Sequence, residues 1–313
     1  MCLNRSLRLA VIALLSAVCL VGGVLLSGCS SQMGAGAAEE GSPKIAVLLV
    51  NHGSHSKQWR RMLGDVEKAV RDDIMADGRV ADVKTAFMEY NEPSIATQMK
   101  AFDAAGFDEV IVVPLFLTVS SHSLNDIPTI VGINADPKVI ERLAAEEIDV
   151  YAAKARVTLV PTLDFSSLLK KNVLQRVQAM ADDMADLGVV LVAYGDARFN
   201  QQWEELMDEV GRYVKAKAGI ETVAYSWCGH LVDYSPEPTM QAIRRVFELE
   251  DRVAVVPLLV AVDPAFQEDI IGVAVEESRP EGEILYEGDA ILPDPGLNEW
   301  ILEITADAVA RRS

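Results

Sequence analysis

The sequence predicts an α/β protein built from two tandem domains, each with a doubly wound parallel sheet. Short apolar strands alternate with amphipathic helices along the chain, which is typical of parallel sheets with right-handed crossovers. The strands are apolar almost throughout, as expected of strands that are buried on both faces. The same order of strands, helices and turn residues occurs twice, which indicates an internal duplication.

The first half is predicted to contain four strands and four helices. The first helix carries apolar residues at a spacing of three and four, so that they form one stripe facing a sheet. The members of this stripe are Trp59, Met62, Leu63, Val66, Val70 and Ile74. The predicted strands are Ile45–Val50, Val83–Phe87, Glu109–Pro114 and Arg156–Val160. The remaining helices are predicted near Ser94–Ala105, Pro137–Glu147 and Ser166–Leu187.

The second half repeats this order. Its predicted strands are Val189–Ala193, Thr222–Trp227, Arg252–Pro257 and, as the fourth, either Glu283–Tyr286 or Ala290–Leu292. Its predicted helices lie near Asn200–Ala218, Pro238–Leu249 and Gly296–Arg312. We therefore expect the two sheets to face one another across a cleft, with any chemistry at the carboxyl ends of the strands.

The two copies differ at two histidines. The segment from Val47 to Ser54 matches the segment from Val189 to Asp196, and Pro114 in the third strand matches Pro257. In this alignment His52 is replaced by Tyr194, and His122 is replaced by Ala265. Residues shared by both copies are expected to serve folding, so the residues that differ are the candidates for function.

The amino terminus predicts export. Arg5 and Arg8 precede a long apolar run, which ends in Leu26-Ser27-Gly28-Cys29. This pattern is typical of a lipoprotein signal, with Cys29 as the lipidated residue. An uncleaved membrane anchor is the alternative that the length of the run allows. We expect a signal at residues 1–28, a flexible tether at 29–43, and domains at 44–187 and 188–313, in a protein attached to the membrane and facing the periplasm or cell exterior.

Composition excludes several classes of protein. The formal net charge is −19, which disfavours nucleic acid as a partner and leaves a lipid anchor as the expected membrane attachment. The sequence contains neither a P-loop nor a complete dinucleotide-binding motif, so no nucleotide is expected. Of the four cysteines, only Cys228 lies beyond the predicted signal and lipidation site, so no intramolecular disulfide is expected. The sequence is compatible with a homo-oligomer.

Three residues of the first half are candidate metal ligands. His52 follows the first predicted strand, Glu89 follows the second, and His122 lies on the predicted loop after the third. Two imidazoles and a carboxylate suit a divalent first-row metal and leave positions open for another ligand. Taken singly, each residue also has an ordinary explanation, as a histidine in a turn or a carboxylate at the surface. The loss of both histidines from the second half favours a shared role.

Other residues near these candidates have competing interpretations. Asp126 is placed to orient His122, but because Asp269 persists in the second half, we interpret Asp126 as a helix or turn cap. His55 is either a further ligand or an exposed loop histidine. Cys228 and His230 are either a second metal contact or a buried thiol and a loop histidine.

These motifs together resemble the sirohydrochlorin chelatases, the class II enzymes that insert cobalt, iron or nickel into sirohydrochlorin. The motifs are His52-Gly53-Ser54, Phe87-Met88-Glu89 with Glu92-Pro93-Ser94, and Val113-Pro114-Leu115 with His122 and Asp126-Ile127-Pro128. The resemblance covers nearly all of residues 44–170 and, in degenerate form, the second half.

The resemblance implies a tetrapyrrole held between the halves and a metal presented to it by His52, Glu89 and His122. It also implies that Ser54, Ser120 and Ser121 line the tetrapyrrole site. The divalent metal is then a substrate, with Co²⁺ expected and Ni²⁺ or Fe²⁺ as alternatives, and the pathway is tetrapyrrole biosynthesis such as that of cobalamin. The second hypothesis is an exported lipoprotein of the same fold that captures metal or tetrapyrrole without turnover.

Overall fold

The protein contains two four-stranded parallel sheets, as the strand and helix pattern predicts. This computed structural model describes residues 42–163, 167–278 and 282–311. The strand order is β2-β1-β3-β4 in the first sheet and β6-β5-β7-β8 in the second. The predicted α/β fold with an internal duplication is therefore confirmed.

The first half begins at β1 and ends at α5. Its strands are β1 (Ile45–Asn51), β2 (Val80–Phe87), β3 (Glu109–Pro114) and β4 (Arg156–Leu159). Its α-helices are α1 (Lys57–Met75), α2 (Ile95–Ala104), α3 (Ile127–Ile130), α4 (Pro137–Ala145) and α5 (Leu168–Met180). A π-helical turn at His122–Asp126 directly precedes α3.

The second half follows the same plan. Its strands are β5 (Leu187–Ala193), β6 (Val223–Trp227), β7 (Arg252–Leu258) and β8 (Glu283–Leu285). Its α-helices are α6 (Asn200–Ala218), α7 (Glu237–Phe247), α8 (Pro264–Phe266), α9 (Val273–Ser278) and α10 (Pro295–Ala310). A 3₁₀ turn lies at His230–Val232 and a π-helical turn at Gln267–Gly272. The sequence left two segments as candidates for the fourth strand of this half. The segment that begins at Glu283 forms this strand, β8.

Helix α1 shows how the local sequence specifies these elements. The Ser56 side chain accepts a hydrogen bond from the Trp59 backbone N–H at 3.2 Å and so caps the first turn. The predicted stripe is buried at Leu63, Val66, Val70 and Ile74. Burial of this stripe against the sheet is the main source of stability for such a helix.

The strands bring their carboxyl ends to one edge of each sheet. In the first sheet, β1 pairs with both β2 and β3, with Asn51 opposite Phe87 and Val50 opposite Pro114. The chain segments that follow these strands are therefore neighbours. Residues that come directly after β1, β2 and β3 are held close together even though they are far apart in sequence.

The two halves share one apolar core. The last helix of each half crosses to the other half: α5 packs against α6 and β7, whereas α10 packs against α1 and β3. Polar contacts fix α5 in this position, because Asn172 Nδ2 donates to the Ile291 carbonyl at 3.2 Å and Arg176 Nη1 donates to the Pro257 carbonyl at 2.8 Å. The core is thus continuous across residue 187, and the described residues from Ser42 onward form one compact unit.

The predicted signal and the lipidation site at Cys29 lie outside the described residues. Among the helices of the described part of the chain, none has the length and apolar character needed to cross a membrane.

Candidate metal centre

Three side chains converge at the carboxyl edge of the first sheet. His52 directly follows β1, Glu89 lies two residues beyond β2, and His122 begins the π-helical turn after β3. One ligand atom from each residue lies within 4.8 Å of the others. Among the described residues, no other group of three histidine, cysteine or acidic side chains approaches this closely.

The backbone around His52 is shaped to admit Glu89. The Glu89 N–H donates to the His52 carbonyl at 2.8 Å, which extends the β1–β2 pairing beyond the strands. Gly53 has a φ of +109°, and a Cβ atom there would lie 2.0 Å from the Glu89 carbonyl oxygen. Only glycine permits this approach. The Asn91 side chain then fixes the loop by accepting a hydrogen bond from the Ser54 N–H at 2.9 Å.

Both histidines are oriented through Nδ1. His52 Nδ1 lies 3.1 Å from the Gly53 carbonyl, and His122 Nδ1 lies 2.8 Å from Asp126 Oδ2. Because these acceptors place the proton on Nδ1, the Nε2 atom of each ring keeps a free lone pair. The ring centroids are 4.9 Å apart and the planes are inclined by 76°. Two Nε2 atoms and one Glu89 carboxylate oxygen are thus available to a single ion.

The electrostatic environment of His52 favours its neutral form. Shielding from water lowers the pKa of His52 below its usual value, and the nearby His122 lowers it further, whereas Glu89 opposes the shift. The neutral form of imidazole is the form that binds metal.

The surroundings of Glu89 are acidic. Glu89 lines a cavity of about 540 Å³. The other acidic residues of its wall are Glu92, Glu146, Glu147 and Asp149. A cavity wall of one charge sign raises the local concentration of ions of the opposite sign, so this face of the site attracts cations.

Asp126 orients His122, and its interpretation as a cap is wrong. Its side chain caps no helix; it is fully buried and binds His122 through Oδ2 and Arg142 through Oδ1. Its counterpart in the repeat, Asp269, is exposed. A buried carboxylate needs partners, and here they are the imidazole and the guanidinium. Arg142, which sequence reasoning missed, is on α4, and its Nη1 also binds Glu146 at 3.0 Å.

The prediction that His122 lies on a loop is also wrong. The residue begins the π-helical turn His122–Asp126, which brings residues 122 and 126 onto the same side. Hydrogen bonds between Ser120 and Ser123 hold the start of this turn. A turn of this kind is too short to produce the periodicity by which helices are recognised in a sequence.

The serines proposed to line the tetrapyrrole site are placed differently from one another. Ser54 is buried, and its hydroxyl donates to Asp263 Oδ2 at 2.5 Å. Ser120 is also buried and bonds to Ser123, whereas Ser121 is partly exposed. His55 is exposed, and its ring centroid lies 4.7 Å from that of Tyr90.

The second half has lost all three candidate ligands. The Gly229 N–H donates to the Tyr194 carbonyl at 3.0 Å, as the Glu89 N–H does to the His52 carbonyl. Gly229 is therefore the counterpart of Glu89, and a Cβ atom there would lie 2.6 Å from the Tyr194 carbonyl oxygen. The sequence showed only the replacement of the two histidines. The replacement of Glu89 by Gly229 was not visible in the sequence, because extra residues after β6 change the offset between the two copies.

Cys228 and His230 have the ordinary roles that the sequence left open. Cys228 is fully buried, and burial raises the pKa of its thiol to about 12, which opposes formation of the thiolate that binds metal. His230 is exposed, and its Nδ1 lies 3.1 Å from the Tyr194 hydroxyl.

Tandem parallel sheets, with two imidazoles and a carboxylate at one edge, are the arrangement that the resemblance to the class II metal chelatases implies. The family model that matches is CbiX, over residues 46–180, the half that carries the three candidate ligands. The chain is 30% identical over 109 residues to the sirohydrochlorin cobaltochelatase of Saccharolobus islandicus. The aligned residues make up 35% of this chain and 80% of the relative. It is 28% identical over 133 residues to the enzyme of the same name from Saccharolobus solfataricus. That alignment covers 42% of this chain and 93% of the relative.

The structural comparison shows that the fold is shared over both halves. The sirohydrochlorin chelatase SirB from Bacillus subtilis subspecies spizizenii, solved in complex with cobalt, superposes with a TM-score of 0.59 at 18% identity. The match covers 85% of this chain and 96% of that one. The protein belongs to the CbiX family of class II chelatases and is an enzyme of the lyase type.

Proposed function

We propose that this protein inserts a divalent metal, with cobalt as the physiological ion, into sirohydrochlorin or a related tetrapyrrole. The observation that carries the proposal is the convergence of His52, Glu89 and His122 within 4.8 Å in a member of this family. The metal is a substrate that enters and leaves.

The three side chains meet the first requirement of the reaction, which is to replace part of the ion's water shell. The Nε2 atoms of His52 and His122 and an oxygen of Glu89 supply three ligands from one side. The remaining coordination positions stay open, as they do at catalytic rather than structural sites. An ion held in this way is exposed to the nitrogen atoms of a macrocycle that approaches from the open side.

The second requirement is to remove two protons. Metal insertion forms bonds from the ion to the ring nitrogens and releases the two pyrrole N–H protons. As the ion passes to the ring, the Glu89 carboxylate and the two imidazoles regain free lone pairs, and these groups are bases within reach of the departing protons. One set of residues therefore binds the ion before transfer and accepts protons afterwards.

Cobalt is proposed as the metal because the relatives in Saccharolobus are named cobaltochelatases. Imidazole and carboxylate ligands also accept Ni²⁺ and Fe²⁺, and supply usually decides among such ions.

We further propose that the protein is exported and tethered through Cys29. The apolar run before Leu26-Ser27-Gly28-Cys29 supports this proposal. Expression of the full chain is expected to give a protein in the membrane fraction, and Cys29→Ser is expected to prevent lipidation and signal cleavage. A wild-type chain that remains unlipidated, as judged by its mass, would contradict the anchor.

The proposed activity is tested with residues 30–313, metal-free sirohydrochlorin and each of Co²⁺, Ni²⁺ and Fe²⁺. The absorption spectrum of the macrocycle reports the metallated product. We expect many turnovers per protein, fastest with Co²⁺. Stoichiometric binding of ion or macrocycle with no turnover would instead support the non-catalytic capture protein.

A further inference from the structure

An aromatic cluster occupies the edge of the second sheet where the first sheet carries its metal ligands. Tyr194 stands in place of His52, and its ring centroid lies 5.6 Å from that of Phe266 and 6.4 Å from that of Tyr234. The Tyr194 hydroxyl lies 3.1 Å from both His230 Nδ1 and the Tyr234 hydroxyl. The second half has thus replaced its ligands with an ordered group of rings.

This aromatic cluster is held beside the candidate metal centre. Ser54, two residues after His52, donates to Asp263 at 2.5 Å. Asp263 caps α8, whose last residue is Phe266. A second contact joins the halves at the same edge. Trp203 Nε1 of α6 donates a hydrogen bond to the Val119 carbonyl at 3.1 Å, and Val119 lies three residues before His122. The edges of the two sheets therefore meet at this point.

Large apolar side chains remain exposed around the site. Tyr90, next to Glu89, is 60% exposed, and Tyr234 of the aromatic cluster is 48% exposed. Among the described residues, no other tyrosine, phenylalanine or tryptophan is exposed. Leu124, two residues after His122, is 46% exposed. Exposed apolar groups gathered at one place mark a binding surface, whereas isolated ones do not.

The backbone at both tyrosines is in the left-handed region. The φ angle is 62° at Tyr90 and 57° at Tyr234. This conformation is uncommon for residues that carry a Cβ atom and is found preferentially at functional sites.

We propose that Tyr90 and Tyr234 form a platform that binds the conjugated ring of the tetrapyrrole and aligns its centre with the ion held by His52, Glu89 and His122. This inference rests on the proposed function. Flat aromatic surfaces stack on one another, and the two tyrosines approach the metal centre from different halves of the chain. The platform gives the second half, in which the counterparts of the three candidate ligands are replaced, a direct contact with substrate.

The test separates macrocycle binding from metal binding. Residues 30–313 are prepared as wild type and as Tyr234→Ala, Tyr234→Phe, Tyr90→Ala and Tyr90→Phe. Leu249→Ala is the control, because Leu249 is 73% exposed and lies beyond the end of α7. Affinity for metal-free sirohydrochlorin is measured by quenching of tryptophan fluorescence, and affinity for Co²⁺ alone is measured by calorimetry.

We expect each alanine variant to weaken macrocycle binding about tenfold, the magnitude of a lost aromatic contact. The phenylalanine variants and Leu249→Ala are expected to bind like wild type. Tyr234→Ala is expected to leave Co²⁺ affinity unchanged. Alanine variants that bind the macrocycle as tightly as wild type would overturn the platform, as would a parallel loss of Co²⁺ affinity in Tyr234→Ala.

The same experiment separates failure of the platform from failure of the proposed function. If the wild type metallates sirohydrochlorin while all variants bind it equally, only the platform is overturned. If the wild type neither binds nor metallates sirohydrochlorin, the proposed function is overturned and the platform with it.

Discussion

At the residue scale, the contact between His122 and Asp126 shows how the centre is oriented. A histidine ligand generally donates its second ring N–H to a carboxylate or carbonyl, which fixes the ring and raises its basicity. Asp126 fills this role from a fully buried position and is itself held by Arg142. The orientation of His122 therefore depends on α4 as well as on its own turn.

We predict that Asp126→Asn weakens Co²⁺ binding about 10–100-fold, the usual cost of removing such a partner from a metal-bound histidine. Calorimetry with Co²⁺ measures the change, and circular dichroism establishes that the variant is folded. Asp269→Asn is the matched control, because Asp269 is the exposed counterpart of Asp126. Equal Co²⁺ affinity in the two variants would contradict the orienting role.

The pKa of His52 gives a second prediction at this scale. Shielding from water and the proximity of His122 lower it, so His52 is expected to gain its proton only at a pH below the usual value of about 6.5. NMR titration of the His52 ring in the metal-free protein measures this pKa directly. A His52 pKa at or above that of an ordinary histidine would contradict the electrostatic account.

The sequence identified the three candidate ligands but not their supporting residues. His52 and His122 were distinguishable because the second half lacks them. Asp126 was misinterpreted because Asp269 persists, and identical residues in two copies carry no information about burial. Arg142 gave no signal, because its partner is brought to it only by the packing of α4.

At the element scale, the turn after β1 determines how closely His52 and Glu89 approach. Its form requires a glycine at residue 53, with a positive φ and no room for a Cβ atom against the Glu89 carbonyl. The repeated strands and long helices were predictable from periodicity. The π-helical turns at His122 and Gln267 were not, because they span only 5 and 6 residues.

We predict that Gly53→Ala destabilises the fold by at least about 1–3 kcal/mol, the usual range for strained backbone at such a position, and weakens Co²⁺ binding. Urea denaturation measures the free energy of unfolding. Gly64→Ala is the control, because Gly64 lies within α1 and nothing lies within 4 Å of its added Cβ atom. That change should be neutral or stabilising by up to about 1 kcal/mol, since alanine favours helix. Equal stability of the two variants would contradict the proposed role of the turn.

At the scale of the whole molecule, the exchange of α5 and α10 makes the two halves interdependent. Each sheet is covered on its inner face partly by a helix from the other half. Sequence repeats revealed the duplication but not the exchange, because a helix stripe shows that a helix is buried without showing which sheet buries it.

We predict that a fragment of residues 42–187 does not fold as a monomer, because the apolar face of α5 would lack α6 and β7. Light scattering after size-exclusion chromatography gives its mass, and circular dichroism gives its secondary structure. The expected outcome is an unfolded chain or a self-associated one in which two copies exchange α5. A folded monomer with the stability of the whole chain would refute the interdependence of the halves.

In the proposed mechanism, His52, Glu89 and His122 hold the metal during its transfer to the macrocycle. The initial rate of cobalt insertion into sirohydrochlorin is measured for wild type and for His122→Ala at equal protein concentration. We expect His122→Ala to be slower by about 100-fold or more, because the variant lacks one metal ligand and one base. Insertion by His122→Ala at the wild-type rate would contradict this mechanism.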